Sequence, residues 1–113
     1  MTTPAETLTF DWGTIAWQIN GDLVPGATIT LGVVEINAGA QNPLHYHPNC
    51  EEVLHLLSGQ LDHRIGDEIV HMHAGDTIHV PTGVHHQGVN PGDTVARMVV
   101  AYPTGHREMV VVD

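Results

Sequence analysis

The chain's 113 residues are enough for one domain with one core, so a single domain over residues 1–113 is expected. With 42% hydrophobic residues, 14% charged residues, 12 glycines and 7 prolines, it reads as globular and turn-rich rather than disordered. A formal net charge of -10, with three arginines (Arg64, Arg97, Arg107) and no lysine, leaves nothing to neutralise rows of phosphates, which argues against nucleic acid and anionic membranes as partners.

Met1 to Ala5 are expected to be loose. No basic stretch followed by an apolar core opens the chain, so no signal peptide is expected, and no apolar run is long enough to span a membrane. Cys50 is the single cysteine and cannot form an internal disulfide, which fits a cytoplasmic location.

Turn signals then punctuate the chain: Asn20-Gly21, Pro25-Gly26, Ser58-Gly59, Gly66-Asp67, Ala74-Gly75-Asp76, Thr82-Gly83 and Asn90-Pro91-Gly92-Asp93. Between them lie β-branched runs at 27–36, 69–72, 77–80 and 95–101. Short strands at such spacing predict an all-β sandwich or barrel, and no segment carries the 3.6-residue apolar period of a long helix. Gly66-Asp67, between Ile65 and Glu68, predicts a two-residue hairpin. The apolar tail, Met109 to Val112, would be an aggregation-prone edge if left open, so it is expected to pair with the barrel or with a second subunit.

The chemistry sits in two segments, 39–59 and 75–90. Residues two apart on a strand share a face, so His45 and His47 aim at one point while Tyr46 faces away. Pro48 and Asn49 interrupt that strand. The chain re-enters with Glu52, Leu54 and Leu56 on one face, and with this face inward the Glu52 carboxylate meets the two imidazoles. His86 arrives from a distant strand after Pro81-Thr82-Gly83. Three imidazoles and a carboxylate predict a site for one divalent transition metal, with positions left for substrate or dioxygen. Fe(II), Mn(II), Ni(II), Cu(II) and Zn(II) all accept these donors. The His71/His73 pair has no spaced carboxylate and is assigned to the surface.

Both segments resemble the two motifs of the cupin superfamily. The first runs glycine, five residues, His-x-His, three or four residues, glutamate, six residues, glycine; it is met by Gly39, His45, His47, Glu52 and Gly59. The second runs glycine, five residues, Pro-x-Gly, two residues, histidine, three residues, asparagine; it is met by Gly75, Pro81, Gly83, His86 and Asn90. The resemblance implies an all-β double-stranded β-helix (jelly-roll) barrel, often a homodimer, with the metal near its middle. The motif gaps favour Glu52 over Glu51 and His86 over His85; Glu51 is then placed at the rim, and His85 at the pocket mouth or on the surface.

A fold hosts many chemistries, so three functions are carried forward. The first is a metal-dependent oxygenase acting on a small enol or acid, resembling quercetinase-like and acireductone-like small cupins. In it Glu52 serves as both metal ligand and acid–base group. The second is a non-redox lyase or isomerase using the metal as a Lewis acid. The third is a small-molecule-binding or metal-binding module without turnover. Oxalate-degrading activity is less favoured: such cupins are often two-domain and would call for a pocket arginine, and parity alone does not turn the strand-borne Arg64 or Arg97 inward. Among the other residues, Met98 and Val100 are assigned to the cavity wall, and His55 and His63 to the outer face. Cys50 is assigned to a loop, and Trp12 and Trp17 to the core or a dimer interface.

Overall fold

A computed structural model of the chain describes residues 5–112. Met1 to Pro4, most of the segment expected to be loose, lie outside the described residues; Ala5 is exposed and precedes the first strand.

The described residues form eleven strands and no helix. They are β1 (Glu6–Phe10), β2 (Gly13–Ile19), β3 (Thr30–Ile36), β4 (His45–Tyr46), β5 (Glu52–Ser58), β6 (Gln60–Ile65), β7 (Glu68–His73), β8 (Thr77–Val80), β9 (His86–Val89), β10 (Ala96–Tyr102) and β11 (Val110–Val111). The strands make two sheets, in the orders β1-β2-β3-β10-β5-β8 and β11-β4-β9-β6-β7. Every pairing is antiparallel.

The expected strands coincide closely with β3, β5, β7, β8 and β10. The hairpin of β1 and β2 was not singled out, although Thr7-Leu8-Thr9-Phe10 alternates with period two. Gly66-Asp67 forms the expected turn: Ile65 pairs with Glu68, and Gly66 has φ 59°, which glycine adopts without a Cβ clash. The tail pairs with the barrel, Val110 opposite Tyr46 and Val111 opposite His45.

Alternation decides what faces inward. In β3, Leu31, Val33 and Glu35 are only half-buried, while Thr30, Val34 and Ile36 are buried. In β5 the buried set is Glu52, Leu54 and Leu56; in β10 it is Ala96, Met98, Val100 and Tyr102. The apolar members of these sets, with Tyr102, meet Leu61 and Met72 of the second sheet to form the core. Where that core opens between the sheets, the cavity walls include Met98 and Val100, as their parity predicts.

Candidate metal centre

The two sheets contribute different donors. Neighbouring strands β4 and β9 of one sheet carry His45 and His86, which are direct register partners, and His47 follows at the end of β4. Strand β5 of the opposite sheet carries Glu52. All four side chains are buried. One ligating nitrogen from each of the three histidines lies within 4.8 Å of the other two. Glu52 stands beside this cluster, with its Oε1 3.1 Å from His47 Nε2 and 3.5 Å from His86 Nε2.

The backbone fixes how each imidazole presents itself. The Nδ1–H of His45 donates to the Pro43 carbonyl at 2.7 Å, that of His47 to Glu108 at 2.9 Å, and that of His86 to Val84 at 3.0 Å. A carbonyl accepts only, so each Nδ1 carries the proton and each Nε2 in the neutral ring keeps its lone pair. The His86 Nε2 is buried and makes no hydrogen bond among the described residues. A lone pair aimed at a carboxylate, as at His47 and Glu52, repels unless a proton or a cation lies between them. This donor set therefore fits a divalent metal: neutral imidazoles oriented by carbonyls, plus a carboxylate.

The charges follow from burial and neighbours. Burial pushes His45 down to about 4, and the nearby His86 pushes in the same direction. Burial opposes ionisation of Glu52, but a proton held on the facing nitrogens of His47 and His86 outweighs that and keeps the carboxyl well below the usual range. Tyr102 is raised far above an ordinary phenol, first by burial and then by the Glu52 charge. Its ring centroid lies 5.0 Å from that of His47.

Residues assigned to the rim or surface lie there. Glu51 is exposed, its Oε1 2.8 Å from His79 Nε2, and exposed His85 stacks on Tyr46. His71 and His73 are exposed on β7, and His55 contacts Thr77 Oγ1. Neither strand-borne arginine enters the cavity: Arg64 Nε donates to the Gly66 carbonyl, and Arg97 Nε lies 3.5 Å from Glu35 Oε2. Cys50 does sit in a loop, but it is buried in the core, and burial raises its thiol. Trp17 is buried, Trp12 is partly buried and stacks on Phe10, and both line the cavity.

His63 corrects the outer-face assignment. It is 2% exposed, shares the inward parity of Leu61 on β6, and lines the cavity, with its ring 5.6 Å from that of His86. Its cross-strand partner is Gly88, where a Cβ would crowd Ile36 Cδ1 at 3.0 Å and make an ordinary contact with His63 Nδ1 at 3.7 Å. Neither His63 nitrogen has a hydrogen-bond partner among the described residues, and burial lowers its pKa to about 4. Sequence reasoning also missed Tyr102 and Arg107 as cavity residues.

The profile of the Cupin domain family matches residues 32–102, from β3 to the end of β10 and across every histidine of the centre. The chain belongs to the cupin family. Rice germin-like protein 3-8 (Oryza sativa subsp. japonica) is 28% identical to this cupin over 91 residues, covering 74% of this chain and 40% of its own. Tetracenomycin polyketide synthase protein TcmJ of Streptomyces glaucescens is 33% identical over 69 residues, covering 61% and 46% respectively. The chain thus spans less than half the length of these curated relatives. Among solved structures, the oxalate decarboxylase formate complex of Lactobacillus farciminis superposes with a TM-score of 0.88 at 22% identity, over 96% of this chain and 33% of that one. An oxalate oxidase superposes with a TM-score of 0.81 at 25% identity, over 92% and 57%. The first of these likenesses speaks for the jelly-roll fold alone.

Proposed function

We propose that this cupin is a metal-dependent enzyme of the oxygenase type, acting on a small organic enol or acid. The observation that carries the reading is the convergence of three carbonyl-anchored imidazoles and Glu52 on the wall of a largely apolar cavity of about 310 Å³. That volume suits one small organic molecule.

His45, His47 and His86 would hold the metal through Nε2, with Glu52 as the anionic donor. A bound redox-active divalent metal would supply the electronic coupling between an enol oxygen and dioxygen that neither partner achieves alone. The protein's own residues do the rest. The Pro43, Glu108 and Val84 carbonyls hold the rings in one tautomer. Trp12, Ile15, Val34, Met98 and Val100 keep the site apolar, which strengthens every charge interaction inside it. The Glu52 carboxylate, ionised while it contacts His47 and His86, would take the enol proton by shifting clear of them, which lets its pKa rise toward the working pH.

The test is oxygen uptake by protein reconstituted separately with Fe(II), Mn(II), Ni(II), Cu(II) and Zn(II), against a panel of enols and hydroxy acids. Turnover with at least one redox-active metal is expected, and Glu52→Gln should lower kcat by roughly 10²-fold or more while still binding metal. Full turnover of a non-oxidative reaction with zinc would move the assignment to a Lewis-acid lyase or isomerase. No turnover with any metal would leave a binding protein.

A further inference from the structure

Arg107 is the one arginine of three that lines the cavity, and it also borders a second cleft beside Asn20, Asp22 and Thr30. Asn49, in the loop between His47 and Glu52, clamps the backbone on both sides of it: Asn49 Nδ2 donates to the His106 carbonyl at 2.8 Å, and Asn49 Oδ1 accepts from the Glu108 N–H at 2.9 Å. The Glu108 carbonyl is also the one that orients His47. The Arg107 anchor and the candidate metal ligand are therefore tied to one short piece of backbone.

Its side chain is fixed but electrostatically unspent. The guanidinium carbon lies 4.6 Å from the Trp17 ring centroid and 5.3 Å from that of Tyr102, so two aromatic rings pack against the group. Its Nε is buried without a hydrogen-bond partner among the described residues. None of the described carboxylates lies within 4.0 Å of it, although Asp and Glu number 13 in the chain; Arg97, by contrast, has Glu35. A guanidinium is always charged, and a buried donor left unmatched is costly. Aromatic packing leaves its N–H edge as the open part, and that edge matches a carboxylate in a two-point contact.

We propose that Arg107 anchors the carboxylate of an organic acid whose apolar body fills the cavity and whose far end reaches the His45–His47–His86 cluster. Tyr102 spans the interval, its ring contacting both Arg107 and His47. The cavity walls, including Leu8, Phe10, Ile15 and Val111, offer the body carbon surface rather than polar groups. The substrate class is thus an acid with an aryl or alkyl body, not a dicarboxylate as small as oxalate. This rests on the reading of the cavity as the substrate site, but the anchor itself does not need the metal.

The test uses phenylacetate and its neutral counterpart phenylacetamide as probes. Both are titrated into metal-free and zinc-loaded protein, following the arginine Nε–H signals by ¹H–¹⁵N NMR; with three arginines in the chain the spectrum is sparse. One Nε–H signal, absent in Arg107→Lys, should shift saturably with the acid and not with the amide. The acid should bind roughly tenfold or more tightly than the amide. Arg107→Gln should abolish that preference. Arg107→Lys, which keeps the charge and the ring contact but not the planar fork, should cut it several-fold and decides the matter if the glutamine variant fails to fold. Equal binding of acid and amide, no binding of phenylacetate, no arginine shift, or an undiminished preference in Arg107→Lys would each overturn the proposal. Failure of the metal reading shows separately, as zinc leaving the histidine signals unmoved while the acid preference persists.

Discussion

A His86→Ala chain should lose the stabilisation that metal gives the parent protein, whereas His85→Ala should keep it. A ligand that binds only the folded state stabilises it according to its concentration over its Kd, about 4 kcal/mol at a thousandfold excess. His86 supplies one of three clustered imidazoles, its Nε2 is buried without a hydrogen-bond partner among the described residues, and its Nδ1 is already committed to the Val84 carbonyl. Removing that nitrogen should weaken metal binding by at least roughly 10²-fold, since even the loss of a group that merely orients a ligand costs 10- to 100-fold. Thermal unfolding with and without added Mn(II) or Zn(II) should therefore show a clear rise for the parent and for His85→Ala, and little or none for His86→Ala. His85 is the apt control because it is adjacent in sequence, exposed, and stacked on Tyr46 outside the cluster. Equal rises in all three proteins would place the metal elsewhere.

Metal-free protein should lose several kcal/mol of stability between pH 7 and pH 4. His45 and His63 each titrate near 4 in the folded chain, against 6.5 when exposed, because burial disfavours the imidazolium. Between those values the unfolded chain binds more protons, so stability falls as pH falls through the window and levels off, for these groups, below about 4. Each histidine contributes a loss of roughly 3 kcal/mol at full extent. Glu52 acts in the same direction over a lower range. Its folded pKa is depressed, so its contribution is present above the ordinary carboxylate value near 4.5 and is lost as pH drops toward the folded pKa. Urea unfolding at a series of pH values checks the slope. His63→Leu, which retains His45, should remove about half of the loss between pH 6.5 and 4. A flat profile in the parent, or an unchanged slope in the variant, would mean that these imidazoles are not held neutral by burial.

Much of this arrangement was legible in the sequence, because it depends on strand parity and short-range spacing. His45 with His47, and Glu52 with Leu54 and Leu56, share faces for the same geometric reason, and the glycines at 59, 66, 75 and 83 mark turns where φ is positive. What was not legible depends on which face of a strand is turned inward and on how distant segments meet. His63 has the parity of Leu61, which was the available signal, but an ionisable side chain ordinarily prefers the solvent face, and only the packed structure shows it turned inward. Arg107 lies in a tail with no periodic pattern. It reaches the cavity because Asn49 pins the backbone at His106 and Glu108 and because β11 pairs with β4. Arg64 and Arg97 lie on strand-like segments whose parity alone does not say which face is inward, and in the fold both are turned outward.

The most direct test of the account is elemental analysis of untagged protein purified without added metal, followed by reconstitution and re-analysis. The arrangement of His45, His47, His86 and Glu52 predicts close to one divalent transition metal per chain, retained through gel filtration. Protein that carries no metal, and takes up none on reconstitution at neutral pH, would contradict the metal centre and leave the cavity as a binding site for organic ligands alone.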